Sequence, residues 1–230
     1  MTATLWADVD RYINGLLAPP DPALTAALEA SAAAGLPDIQ VTPTQGKLLH
    51  LFARMIGAKR ILEVGTLGGY STIWMARALP PDGKLITLEI DAKHAEVARA
   101  NLARAGLADR VDVRLGPALE SLPKLALASR AQGGAGGAFD LVFIDADKPS
   151  NPEYFAWALK LSRRGSVIIV DNVIRDGGVV NASSSDPNIL GVRRLNDLIA
   201  REPRVSATEI QTVGSKGYDG FAIAVVLAEP

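Results

Sequence analysis

Apolar positions recur at helical spacing in the first quarter of the chain and give way afterwards to short continuous apolar runs separated by amphipathic stretches. Residues 6–17 and 22–34 read as helices, the second opened by Asp21-Pro22, since proline is tolerated in a first turn. A break at 37–43 follows. Leu48, Leu49, Leu51, Phe52, Met55 and Ile56 then form an apolar stripe on a helix over 44–56. From there the pattern alternates. Residues 60–64 are a strand, 65–69 a glycine turn and 71–79 a helix; 84–89 is a second strand, followed by a helix over 93–105. A third strand at 111–115 leads to a helix over 118–128, and the glycine-bearing 131–138 reads as a surface loop. Residues 141–144 and 167–170 are uninterrupted apolar strands, as expected where both sheet faces are covered, with a helix over 152–161 between them.

Four strand–helix alternations imply a parallel sheet with helices on both faces. The tail differs: β runs at 208–213 and 221–228 flank the glycine-rich 214–220, which predicts a closing hairpin and one antiparallel strand. The expected organisation is a single α/β domain over 1–230, with a helical extension at 1–43 and the core at 44–230.

Composition narrows the function classes. At 230 residues and 48% hydrophobic, the chain can bury one large core. A formal net charge of −1 argues against a protein built to neutralise many phosphates. There are no cysteines, which excludes disulfides, thiolate metal sites and cysteine nucleophiles. No run approaches the roughly 20 apolar residues of a membrane helix. The first residues carry Asp8, Asp10 and Arg11 and lack a basic region followed by an apolar run. A soluble cytoplasmic protein is the expectation.

Two groups of residues carry candidate chemistry. In the first, Ile61-Leu62-Glu63-Val64-Gly65-Thr66-Leu67-Gly68-Gly69-Tyr70-Ser71 places glycines where a strand must turn sharply into a helix. Gly65 allows close approach of a ligand to the backbone, and the helix start offers free N–H groups. Glu89, at the end of the next strand, is placed to accept the ribose hydroxyls of an adenosine ligand. A tight βα turn without a ligand would need the same glycines, but not both acids. Glu63 stands where a G-x-G-x-x-G turn has its first glycine. This favours S-adenosylmethionine (SAM), whose cationic methionine end needs no pyrophosphate cradle.

In the second group, Leu141-Val142-Phe143-Ile144 runs into Asp145-Ala146-Asp147-Lys148, and Val167-Ile168-Ile169-Val170 into Asp171-Asn172. Ligands of open parallel sheets bind at the carboxyl ends of strands, where both clusters fall. Two carboxylates and a carboxamide are hard oxygen donors suited to Mg²⁺ or Ca²⁺, and Lys148 lies close enough to act on what a metal holds. Singly, each acid would serve as well as a helix cap or in an Asx turn; together, with a lysine, they point to a metal.

Taken in order, Glu63-Val-Gly65-Thr-x-x-Gly-Tyr-Ser71, Leu-Glu89-Ile-Asp, Gly116-Pro-Ala118-Leu, Phe-Ile-Asp145-Ala-Asp-Lys148 and Asp171-Asn172 resemble the cation-dependent O-methyltransferases. That family includes the caffeoyl-CoA and catechol O-methyltransferases and their bacterial relatives. The resemblance covers residues 40–227 and implies a Rossmann-like seven-stranded, mostly parallel sheet with an antiparallel C-terminal strand. It implies that Val41, Glu63, Gly65, Ser71, Glu89, Ala118 and Asp145 contact SAM. Glu89 would hold the ribose, Ala118 would lie by the adenine, and Glu63 and Ser71 near the methionine end. Asp145, Asp171 and Asn172 would bind the divalent cation, Mg²⁺ foremost and Ca²⁺ or Mn²⁺ otherwise, with Lys148 as general base. The implied acceptor is a small-molecule hydroxyl such as that of a catechol, and the implied assembly a homodimer. One departure from relatives is that no aromatic residue follows shortly after Lys148; Tyr154 is the next.

The remaining residues read as structural. His50 and His94, the only histidines, are placed on helices away from the sheet's carboxyl edge, and Trp6, Trp74 and Trp157 read as packing residues. Residues 175–190 read as a loop over the acceptor or a solvated linker, and Tyr218 in 214–220 is a candidate substrate neighbour. Three rival functions stand beside the methyltransferase. A nicotinamide-dependent oxidoreductase is disfavoured by Glu63 and by the absence of a Tyr-x-x-x-Lys pair. Methylation of a hydroxylated transfer-RNA uridine would need a basic stripe such as Arg163, Arg164, Arg193 and Arg194. A non-catalytic cofactor-binding protein is disfavoured by the intact Asp145, Lys148, Asp171 and Asn172.

Overall fold

The computed structural model describes residues 3–131 and 137–228. Internal packing divides the chain into two compact units, Met1–Pro117 with Gly214–Lys216, and Ala118–Val213 with Gly217–Pro230. Seven strands make a mixed, mostly parallel sheet, ordered β3-β2-β1 in the first unit and β4-β5-β7-β6 in the second. This is the seven-stranded fold the sequence implies.

The first unit runs α1 (Ala3–Leu17), α2 (Pro22–Ala33), α3 (Pro43–Met55), β1 (Arg60–Val64), α4 (Tyr70–Ala76), β2 (Lys84–Glu89), α5 (Ala92–Arg104) and β3 (Val111–Leu115). Helices α2, α3 and α5 start where side chains satisfy the orphan amides of a first turn. Asp21 accepts from Ala23 N and Leu24 N, Thr42 from Gln45 N, and Asp91 from Lys93 N and His94 N. Strands β1, β2 and β3 pair in parallel, with Ile61 opposite Leu85 and Leu85 opposite Val111. All seven residues of α4 are buried. It packs closely on α3 because Gly46 has no side chain; a Cβ there would run into the Trp74 indole.

The second unit runs α6 (Ala118–Ala131), β4 (Phe139–Ile144), α7 (Asn151–Leu161), β5 (Ser162–Asp171), α8 (Pro187–Arg201), β6 (Val205–Gly214) and β7 (Gly217–Val226). Every residue of β4 is buried, the signature of a strand covered on both faces. Strand β5 pairs in parallel with β4 and antiparallel with β7, so the reversed strand expected from the tail is β7.

Two expectations need correction. The loop of 175–190 ends at Asp186, which caps α8 through Asn188 N at 2.8 Å, so residues 187–190 are helix. A short 3₁₀ turn at Gly178–Val180 interrupts the rest. The hairpin connection is also tighter than 214–220: Gly214 and Gly217–Gly220 belong to the strands, leaving Ser215-Lys216 as the turn. Glycines lower strand propensity and mask such positions in a sequence, but Gly220 is required here, because a Cβ would strike the carbonyl of Ile210. Of the predicted loop at 131–138, residues 132–136 lie outside the described residues.

Candidate active site

In the first unit the site is built around the β1–α4 turn. Gly65 has φ 97°, which glycine adopts freely, and its N–H bonds Leu88 O at 3.0 Å. Gly69, the N-cap of α4, also lies in the left-handed region and offers no capping side chain. Glu89 organises this turn. Its Oε2 accepts from Thr66 N at 3.1 Å and Leu67 N at 2.8 Å, and its Oε1 from Asp91 N at 2.9 Å. A carboxylate has about four lone-pair directions, so one acid at the β2 end can tie the glycine turn to the start of α5 and retain acceptor capacity.

Glu63 is fully buried. Its Oε1 accepts from Ser71 Oγ at 2.6 Å and its Oε2 from Thr72 Oγ1 at 2.5 Å, both in the first turn of α4. The structure therefore brings Glu63 and Ser71 together and adds Thr72, which the sequence alone does not single out. Asn101 was also missed: buried on α5, its Nδ2 donates to Gly68 O at 2.9 Å and reaches Ala27 O at 3.3 Å. A polar residue on the same helical face as Ala95, Ala98 and Leu102 was the available signal. Val41 is buried in the segment preceding α3.

His94 is not away from the carboxyl edge. Its Nδ1 lies 3.7 Å from Glu89 Oε1, because α5 starts directly after β2 and its first turn stays beside the strand end. His50 is the structural histidine expected, with Nδ1 at 3.1 Å from Trp74 O; burial holds its pKa below the ordinary value.

In the second unit, Ala118 opens α6 and is half-buried. The register pairs Ile144 with Val170, so Asp145 and Asp171 emerge at one level from strands about 4.8 Å apart. Lys148 is buried, and its Nζ donates to Asp145 Oδ1 at 2.9 Å. Asp171 is buried at the end of β5 and its Oδ1 accepts from Asn172 N at 2.9 Å, while Asn172 has φ 57°. Neither Asp145 nor Asp147 caps α7, whose N-cap is Ser150. Asp147 instead holds the turn around Lys148: its two oxygens accept from Tyr154 OH and Ser150 Oγ, both at 2.5 Å. Burial, and then that bond to Asp147, push the Tyr154 phenol far above its ordinary pKa.

Helix α8 closes over the same turn. Gly191 lies against the backbone of Lys148 and Pro149, where a Cβ would collide with the Lys148 carbonyl, and Arg194 donates to Pro149 O at 2.8 Å. Arg193 donates to Val179 O at 2.6 Å and Arg163 pairs with Asp140. Three guanidiniums of the candidate RNA-binding stripe are thus engaged within the protein. Tyr218 donates its hydroxyl to Gln211, a strand-to-strand contact of the hairpin.

Among the described residues no three or more His, Asp or Glu side chains gather as metal ligands do. The donor set expected here is two carboxylates and a carboxamide, all hard oxygens that fit Mg²⁺, Mn²⁺ or Ca²⁺. The first unit thus presents a glycine turn flanked by two acids. The second presents two acids, an amide and a buried lysine at paired strand ends.

Known proteins match both parts. The family model described as O-methyltransferase matches residues 20–223. A catechol O-methyltransferase of Mycobacterium tuberculosis is 56% identical over 219 residues, covering 95% of each chain. The O-methyltransferase of Bacillus cereus, solved in complex with SAH, has a TM-score of 0.92 at 54% identity and covers 98% of this chain and 100% of its own. The O-methyltransferase TomG of Streptomyces achromogenes, involved in tomaymycin synthesis and solved in complex with SAM, has a TM-score of 0.93 at 50% identity, covering 99% and 100%.

Proposed function

The chain belongs to the O-methyltransferase family and is a SAM-dependent O-methyltransferase; from that premise we propose that it methylates one hydroxyl of a small catechol-like acceptor with the help of a divalent cation. The observation that carries this reading is Lys148, buried and bonded to Asp145 at a strand end level with Asp171. The catechol O-methyltransferase of Mycobacterium tuberculosis at 56% identity supports the acceptor class.

Each residue has a role in the reading. Glu89 holds the ribose hydroxyls of SAM with the acceptor capacity its backbone bonds leave. By the family resemblance Glu63 and Ser71 would lie at the methionine end, Gly65 would let the ligand approach the backbone, and Val41, Ala118 and Asp145 would be further donor contacts. Asp145, Asp171 and Asn172 would hold the cation, Mg²⁺ foremost, and the chemistry it would supply is that of a Lewis acid. Lys148 Nζ would take the proton from the acceptor hydroxyl with its amine lone pair, the oxygen so freed would attack the sulfonium methyl in line, and the methyl–sulfur bond would break as S-adenosylhomocysteine leaves. Burial keeps Lys148 in place. No covalent enzyme intermediate is required. The working form in this reading is a cytoplasmic homodimer.

The test is methyl transfer from SAM to a simple catechol with Mg²⁺ added, and again with excess chelator. Methylation is expected with the metal and is expected to vanish both with chelator and in Asp171→Ala. Full turnover in chelator would refute the cation, and SAM binding without methylation of any catechol would refute the acceptor class.

A further inference from the structure

Strand β5 ends at Asp171, whose register partner in β7 is Phe221. The residues just before Phe221 therefore run beside those just after Asp171. Val173 N donates to Gly220 O at 3.1 Å. Asp219 Oδ1 accepts from Ile174 N at 2.9 Å, Arg175 N at 3.0 Å and Gly220 N at 2.9 Å, and Arg175 Nη1 stands 3.5 Å from Oδ2. Two of these three amides are more than forty residues away in sequence. The contact is tertiary, made by the carboxylate for the loop after β5, and is no local turn of the hairpin.

That loop is strained. Asn172, Arg175 and Asp176 have φ 57°, 55° and 52°, and Leu67 is the only other non-glycine residue in the left-handed region among those described. Asparagine and aspartate enter this region more readily than other L-residues, and arginine stays in it only where its surroundings hold it. No glycine relieves the chain at 172, 175 or 176; inside the loop Gly177 N and Gly178 N bond Ile174 O and Arg175 O, and a further restraint comes from outside it. Asp219 supplies that restraint, from a place beside Gly220, where the strands lie so close that a Cβ would meet Ile210 O and come within 2.6 Å of Ile174 Cγ1.

We propose that Asp219 is the positioning residue of the cation site, clamping the backbone at 174–175 so that Asn172 stays in the left-handed conformation that presents its carboxamide beside Asp171. Asp219 acts through the backbone. One of its oxygens is taken by three amides and the other faces a guanidinium, so it does not coordinate the cation. The inference rests on the reading of Asp145, Asp171 and Asn172 as a cation site.

The test compares wild type, Asp219→Ala and Asp219→Asn in the full chain, with Mn²⁺ as the probe. Mn²⁺ affinity is read by electron paramagnetic resonance, SAM affinity by calorimetry, and the amides of Ile174 and Arg175 by hydrogen exchange. Asp219→Ala is expected to bind Mn²⁺ at least ten-fold more weakly, with faster exchange at both amides and unchanged SAM affinity. Asp219→Asn keeps an acceptor oxygen for the amides and is expected to recover most of the Mn²⁺ affinity. Wild-type Mn²⁺ affinity in Asp219→Ala overturns the inference and leaves the cation reading standing. Equal losses in both variants overturn it too, by assigning the effect to the carboxylate's charge. A wild type that binds no Mn²⁺ through Asp171 overturns the cation reading and this inference with it.

Discussion

Glu63 has no access to solvent and receives two hydroxyls, from Ser71 and Thr72, at 2.6 and 2.5 Å. A buried carboxylate deprived of a donor costs far more than the bond itself gains, because its desolvation is no longer offset. Thr72→Val is nearly isosteric and deletes one donor, so it should lower stability by about 1–3 kcal/mol in urea unfolding. A loss below a few tenths of a kcal/mol would show that Glu63 does not need that hydroxyl. The acids at strand ends were legible in the sequence because an apolar run that stops at Glu89, Asp145 or Asp171 marks both the strand and its carboxyl edge. Their partners were not. Thr72 and Asp219 are ordinary polar residues by spacing, and only the tertiary path of the chain brings them to Glu63 and to Ile174.

Among the elements, α2 shows how one residue can serve two bonds. Asp21 caps the helix through Ala23 N and Leu24 N and also pairs with Arg77 Nη2 at 2.9 Å. The hydrogen bond from Arg77 comes first in holding its carboxyl below the ordinary value of 3.8, burial opposes it, and the capping amides lower it further. A carboxyl lowered on folding stabilises the protein above its unfolded pKa, and that contribution is lost as pH falls through the lowered value. Asp21→Ala should therefore cost about 1 kcal/mol near neutrality, the usual worth of an N-cap. The gap between variant and wild type should close below pH 3.8 in acid-titrated unfolding curves; a gap that stays constant there would exclude the charge from the effect. Strands β1, β2 and β3 fell where their apolar runs predicted. Helix α8 did not, although Asp186-Pro187 repeats the Asp21-Pro22 opening. The glycine- and serine-rich 175–185 has the composition of a loop and masks the helix start that follows it. Gly191 gives that helix its purpose, since a bare backbone position lets it lie on the main chain of Lys148.

For the molecule as a whole, no described helix is long and apolar enough to cross a membrane, yet α1 has no buried residue. Leu5, Val9, Tyr12 and Leu16 lie at i, i+4, i+7 and i+11 and are 46%, 46%, 70% and 62% exposed, one continuous apolar stripe. A second copy of the chain is the partner the proposed homodimer would set there. Tyr12→Asp combined with Leu16→Asp should convert the dimer to monomer in sedimentation velocity while leaving the far-ultraviolet circular dichroism unchanged. A dimer that persists would put the interface elsewhere. The same scale brings a practical consequence of the 3₁₀ turn at Gly178–Val180. Its last residue, Val180, is 82% exposed, while the neighbouring Val179 carbonyl is held by Arg193. Because the chain has no cysteine, Val180→Cys would be its sole thiol. A fluorophore attached there would sit on an anchored backbone with its dye in water, and would make the loop after Asn172 a labelled reporter without any competing attachment point.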